Sequence, residues 1–288
     1  MCRFLAYKGR PLLMADLLVR ARNSLIAQSH HARLWQKPVN GDGFGVAWYP
    51  MHEDPEPGLF RSVEPAWSNA NLNSVAHKLV SRCFFAHVRD ATAGSPVSQL
   101  NCHPFNWQRL VFMHNGALEE FERMRRPLTA RLSDQAYHWL TGSTDTEHAF
   151  ALFLDRLGFT VEPGLDALAD AMTATIGELL AMRRELGIDS PCFLNFAVSD
   201  GRHLVATRFV SHAEREPHSL YTTSGALTLD EDGRFRVMHA DSGAPDSVIV
   251  ASEPLTAFES DWAPVPRNTL ILVDAENGMT MRPLDPAA

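Results

Sequence analysis

The chain has 288 residues, 45% of them hydrophobic and 21% charged, an ordinary globular composition with enough length to bury a sizeable core. Its formal net charge of −8 argues against a nucleic-acid surface and against binding to anionic membranes. No apolar run approaches the ~20 residues of a spanning helix, and the charges within "RFLAYKGRPLL" argue against a signal peptide, so a cytoplasmic protein is expected.

The first predicted strand, "RFLAY" (3–7), follows directly on Met1 and Cys2. "GFGVAWY" (43–49), "RCFFAHV" (82–88) and "RLVFMHN" (109–115) are further β-rich runs. A helix is expected over "NANLNSVAHKLVS" (69–81). Between the second and third of those runs lies "DATAGSPVSQLNCHPFNWQ" (90–108), a long polar loop of the kind that is usually functional or disordered, and its aromatic and histidine content argues against disorder. "DTEHAFALFLDRLG" (145–158) opens with an acidic capping residue and ends at glycine, a helix signature. In 165–186, Leu165, Leu168, Ala169, Met172, Ile176, Leu179 and Leu180 share one helical face. "CFLNFAVSD" (192–200) and "HLVATRF" (203–209) flank a D-G turn, a strong hairpin signal. "SVIVAS" (247–252) and "TLILVD" (269–274) complete the strands. Strands cluster and helices lie between the clusters, so the expectation is α+β with layered antiparallel sheets rather than βαβ units. No repeat, linker or composition break appears, and a single domain over 1–288 is expected.

Cys2 poses a chemical question. Loss of Met1 would put its thiol and a free α-amine on one residue, and that amine, with a reference pKa of roughly 7.7–8.0, could take the thiol proton without a separate histidine. The plain alternative is a small buried residue opening a strand. A nucleophile attacking an amide needs donors for the oxyanion, and Asn115 and the Gly116 N–H in "HNG" offer them, although "NG" also reads as a turn. Arg89, at the end of "FFAHVR", could grip a substrate carboxylate, or form a surface ion pair. Asp145 of "STDTE" could hold a substrate ammonium, or cap a helix. The four cysteines Cys2, Cys83, Cys102 and Cys192 form no CxxC pair, and the 13 histidines form no HExxH motif, so reduced thiols and no metal site are expected.

Taken together, "MCRFL", "NGDGFGVAWY", "FFAHVRDATAG", "NCHPF", "FMHNG" and "STDTE" resemble, in order, the motifs of class II glutamine amidotransferases of the N-terminal nucleophile hydrolase superfamily. They cover about the first half of the chain, and "VIVASEPLT" resembles the small stand-alone members. The resemblance implies a four-layer αββα sandwich with two antiparallel sheets. It implies Cys2 as nucleophile, Asn115 and Gly116 as oxyanion hole, Arg89 with Thr92 on the α-carboxylate of a glutamyl group, Asp145 on its α-ammonium, and a supporting role for His103. Asp42, His87 and Arg3 match family-like positions and read as structural. Asp90 and Ala93 stand where synthase-linked members often carry an aromatic residue and a histidine, which weighs against ordinary glutamine specificity or coupling to a synthase.

Among stand-alone members, "VNGDGFGVAWYP", "NCHPF", "FMHNG" and "GSTDTEHAFALFLD" are most similar to the amidotransferase-like subunits of DUG-type glutathione-degradation complexes. That implies a hydrolase of the γ-glutamyl bond of a small peptide such as glutathione, needing no cofactor and working with a metallopeptidase-like partner. One alternative is a glutaminase subunit delivering ammonia to a separate synthase. Another, from a different class, is a silent γ-glutamyl-binding scaffold. The chain shows neither a phosphate loop nor a Rossmann fingerprint that would supply its own acceptor site.

Overall fold

The computed structural model describes residues 2–34, 38–52, 54–91, 96–231, 234–239 and 245–286. In its first half the strands are β1 (Arg3–Leu13), β2 (Phe44–Trp48), β3 (Gly58–Ser62), β4 (Val80–Val88), β5 (Phe105–Trp107) and β6 (Leu110–Leu118). Then come β7 (Cys192–Ser199), β8 (Leu204–Arg208), β9 (Tyr221–Ser224), β10 (Ala226–Leu229), β11 (Phe235–Met238), β12 (Ser247–Ala251), β13 (Ala263–Pro264), β14 (Thr269–Val273) and β15 (Met279–Pro283). The helices are α1 (Leu25–His30), α2 (Ala70–Ala76), α3 (Phe121–Thr129), α4 (Asp134–Trp139), α5 (Asp145–Arg156) and α6 (Leu165–Glu185).

Two sheets form, in the strand orders β13-β9-β12-β1-β4-β2-β3 and β15-β14-β8-β7-β6-β5, with β10–β11 as a separate ribbon. The pairings of β1 with β4 and β12, and of β6 with β5 and β7, are all antiparallel. Alternation along each strand assigns its faces. Phe4 and Ala6 of β1, with Cys83 and Phe85 of β4, meet Val111 and Met113 of β6 and Ala197 of β7 between the sheets. Leu5, Tyr7, Phe84 and Ala86 turn the other way, against Leu17, Leu25 and Leu72 of the helical segments outside the first sheet. Phe112 and Phe196 turn outward from the second sheet onto Phe150, Phe153, Met172 and Ile176 of α5 and α6. The result is the αββα order that the motif resemblance implies, and it agrees with the layered antiparallel sheets expected from the strand clusters. Because the central strands are buried on both faces, apolar residues stand at successive positions within them, as in "FLAY" of β1, "CFFA" of β4 and "LVFM" of β6.

Two expectations change. The helix expected over 69–81 stops at Ala76, because Leu13 and Leu12 of β1 pair with Val80 and Ser81 and draw that segment into β4. Asp145 is not the cap of its helix: Thr144 takes that place, its hydroxyl accepting from the Glu147 N–H, and Asp145 is the first helical residue. The D-G hairpin forms as expected between β7 and β8, with Gly201 at φ +86°, a conformation that glycine adopts without strain.

Candidate active site

Strand parity brings the site residues to one end of the layer between the sheets. Cys2 precedes β1 on the face of Phe4 and Ala6. Arg89 follows β4 on the face of Phe85 and His87. Asn115 lies on β6 on the face of Val111 and Met113, and Ser252 follows β12 on the face of Val248 and Val250. The pairing of Arg3 with Val88 sets Cys2 beside the end of β4, and the Cys2 Sγ donates to the Asp90 carbonyl at 3.7 Å. Arg89 is buried, its N–H donating to the Gly43 carbonyl and its carbonyl accepting from Asp42 N–H. The Asp42 carboxylate in turn accepts from Ala91 N–H at 2.8 Å, so this aspartate pins the turn after β4.

The glycines of "GDGFG" have a steric reason. A Cβ at Gly43, which has φ +119°, would crowd the Cys102 Sγ, and one at Gly45 would collide with the His103 carbonyl. The missing side chains leave a trough along β2 in which the Cys102–His103 segment lies. His103 there stacks on His87 with ring centroids 4.2 Å apart, and neither of its buried ring nitrogens has a hydrogen-bond partner among the described residues. His87 Nε2 donates to the His114 carbonyl at 3.0 Å, tying the end of β4 to β6 across the two sheets. Burial pushes His87 down to about 3 and His103 well below the usual imidazole range, so both rings are neutral at physiological pH.

On β6, Asn115 is fully buried and its Nδ2 donates to Ser252 Oγ at 3.2 Å. The same oxygen accepts from Phe4 N–H at 3.0 Å, two residues from Cys2. Gly116 has no room for a side chain, because a Cβ would strike the Phe193 carbonyl. His114 Nε2 donates to Phe193 carbonyl at 2.9 Å, which leaves its Nδ1 to accept from the Thr146 hydroxyl at 3.0 Å. The half-buried Asp145 accepts from Leu118 N–H at 2.9 Å and from Thr146 N–H at 2.8 Å, which aims its carboxylate from the start of α5 toward the end of β6.

The structure thus groups Cys2, Arg89, His103 and Asn115 around the ends of β1, β4 and β6. Asp145 stands at one remove, linked to the group through Thr146 and His114. Thr92 lies outside the described residues, as does Ala93. Burial pushes the Cys2 thiol up, while the Asp90 carbonyl and the neighbouring Arg89 charge pull it the other way. The sulfur is therefore held as a thiol and needs a base to react. Among the described residues no histidine bonds to it, and no cluster has the donor set of a metal site. No helix among the described residues is long and apolar enough to cross a membrane.

Sequence reasoning did not single out Ser252 or Glu253. Glu253 is fully buried, pairs with Arg3 Nε at 2.8 Å, and accepts from the Arg33 and Leu34 N–H groups at 3.0 and 3.1 Å. Arg3 also donates from NH1 to the Cys2 carbonyl at 2.9 Å. The signal was available in "VIVASEP": two polar residues directly after the apolar run "VIVA" need buried partners.

The sequence pattern of class-II glutamine amidotransferases matches residues 14–283. A Saccharomyces cerevisiae protein described as probable glutamine amidotransferase DUG3 is 40% identical over 95% of this chain and 82% of its own length. The γ-glutamyl-hercynylcysteine sulfoxide hydrolase of Mycolicibacterium smegmatis is 30% identical over 94% of this chain and 95% of its own. A solved glutamine aminotransferase class-II domain protein from Silicibacter pomeroyi superposes with a TM-score of 0.66 at 29% identity, covering 99% of this chain and 100% of that one. The glutamine phosphoribosylpyrophosphate amidotransferase of B. subtilis, 14% identical, has the same fold in 49% of its chain at a TM-score of 0.60.

Proposed function

The chain belongs to the class-II glutamine amidotransferase family, and on that footing we propose that it hydrolyses the γ-glutamyl amide bond of a small peptide such as glutathione, with Cys2 as N-terminal nucleophile once Met1 has been removed. The single observation that carries this reading is the convergence of Cys2, Arg89 and Asn115 at one end of the layer between the sheets, with Ser252 Oγ bonded to both Phe4 N–H and Asn115 Nδ2.

In this reading the freed α-amine of Cys2, with a reference pKa of roughly 7.7–8.0, takes the thiol proton as sulfur attacks the γ-carbonyl carbon. The carbonyl oxygen becomes an oxyanion and is met by Asn115 Nδ2 and Gly116 N–H. The α-ammonium returns the proton to the departing amine nitrogen as the carbon–nitrogen bond breaks. Water then cleaves the glutamyl thioester by the same base. Arg89 grips the α-carboxylate of the glutamyl group in a bidentate fork, with Thr92 beside it. Asp145 receives the α-ammonium, since a carboxylate that already accepts two backbone N–H groups keeps free lone pairs. His103, neutral and in contact with His87, shapes the wall of the pocket. One amidotransferase domain spans the whole chain, acting in the cytoplasm.

The names of the relatives support a γ-glutamyl compound as the substrate. The M. smegmatis protein is named for a γ-glutamyl bond to a sulfur-bearing amino acid, and the yeast protein, at higher identity, carries a name that does not specify an acceptor. Contacts beyond the scissile amide lower the barrier for a longer substrate, so a γ-glutamyl peptide gains in kcat as well as in binding. A metallopeptidase-like or synthase partner protein is part of the proposal. The test is glutamate release from glutathione and from glutamine by the processed protein, alone and with partners drawn from its own cells. Faster cleavage of glutathione is expected. Fast glutamine cleavage with none of glutathione under any condition would replace this reading by ammonia delivery to a synthase. Binding without turnover of either would replace it by a scaffold.

A further inference from the structure

We propose that Ser252 is a positioning residue that holds the carboxamide of Asn115 with its N–H end available to the oxyanion and in register with Cys2. This rests on the oxyanion role given to Asn115 above. Among the described residues the side chain of Asn115 has one hydrogen bond, from Nδ2 to Ser252 Oγ at 3.2 Å, and its Oδ1 has no partner there. The torsion that turns an asparagine amide is broad and roughly two-fold, so the amide plane needs an external reference. Asn195, directly opposite on β7, does not supply one: its own Nδ2 is committed to the carbonyls of His218 and Ser219 at 3.2 and 3.3 Å.

Ser252 is itself held tightly. It is fully buried, its Oγ accepts from Phe4 N–H at 3.0 Å, and its N–H donates to the Phe4 carbonyl at 3.0 Å. One hydroxyl therefore joins the strand that carries the nucleophile to the strand that carries the oxyanion donor, across the two sheets. An amide turned the other way would aim a carbonyl oxygen at developing negative charge. Fixing the donor end before the reaction removes that reorganisation from the barrier, which is the source of most oxyanion-hole stabilisation.

The experiment measures kcat, KM and Tm for Ser252→Ala, Asn115→Ala and the double variant on the better of glutathione and glutamine. Ser252→Ala is expected to lower kcat about fivefold to tenfold, the worth of one hydrogen bond, with KM within about twofold. In the Asn115→Ala background the same change is expected to cost nothing further, because the group it orients is gone. Ser252→Cys keeps the volume and replaces a strong acceptor by a weak one, so it reads the same quantities if the alanine variant does not fold. An equal kcat loss in both backgrounds, or a lowered Tm with kcat intact, overturns the proposal. If Asn115→Ala itself retains full activity, the oxyanion assignment fails and takes this inference with it. If Asn115→Ala is crippled and Ser252 acts independently, only this inference fails.

Discussion

Arg3 and Glu253 form a buried ion pair at 2.8 Å, 250 positions apart in the chain, and the same guanidinium donates to the Cys2 carbonyl at 2.9 Å. The pair fixes the start of β1 from the side opposite the thiol. It also anchors the 33–34 backbone, whose N–H groups end on the same carboxylate.

Removing one member of a buried pair leaves an uncompensated charge, which costs about 3–5 kcal/mol. Glu253→Ala is therefore expected to lower unfolding stability by about that much in urea titration at neutral pH. A loss within ~0.5 kcal/mol would mean the pair is not desolvated in solution.

Arg89→Lys keeps the charge and loses the planar fork that matches a carboxylate. Loss of one charge-assisted hydrogen bond of about 1.5–3 kcal/mol predicts a fall in kcat/KM of about tenfold to a hundredfold. Initial-rate kinetics on glutathione and glutamine measure it. Unchanged values on both would put Arg89 outside the substrate pocket.

Asn115→Ala should cost about 10²–10³ in kcat, the usual effect of deleting one oxyanion donor, with KM little changed. Should kcat survive while Tm falls, Asn115 is a packing residue of β6.

Acid stability follows from two buried imidazoles. Burial holds His87 and His218 near about 3 in the folded state, against about 6.5 when unfolded. The unfolded chain then binds more protons below about pH 6.5, so stability is retained above that pH and lost as pH falls toward about 3. Between about pH 6 and about pH 5 each histidine should remove stability with a slope approaching ~1.4 kcal/mol per pH unit. His218→Gln should flatten the slope relative to wild type in urea titrations across that range. An unchanged slope would show that His218 titrates alike in both states.

Much of the fold was legible because β1, β4, β6 and β12 are buried on both faces over part of their length, where "FLAY", "CFFA", "LVFM" and "VIVA" set apolar residues at successive positions. Edge strands were not: β3, "GLFRS", is half-exposed along its whole length and carries no alternation to read. The helix over 69–81 ends at Ala76 although "HKLVS" keeps a helical period, because only pairing with β1 decides the fate of that segment. In the site, Cys2, Arg89, Asn115 and Asp145 stood in recognisable motifs, and the structure gathers the first three. The members that hold them, Ser252, Glu253 and Thr146, act through contacts across up to 250 positions; "VIVASEP" marks two of them as polar residues in need of partners, but nothing local in the sequence says which partners those are.

The central claim is that Cys2, freed of Met1, is the nucleophile. The most direct test is intact-mass and peptide mass spectrometry of the natively expressed protein after reaction with a glutamine-derived chloroketone, alongside Cys2→Ala. The account predicts that Met1 is absent, that one label sits on Cys2, that label and lost activity rise together, and that Cys2→Ala is folded, unlabelled and inactive. An active protein that retains Met1, or a label that inactivates from Cys102 while Cys2 stays free, would contradict it.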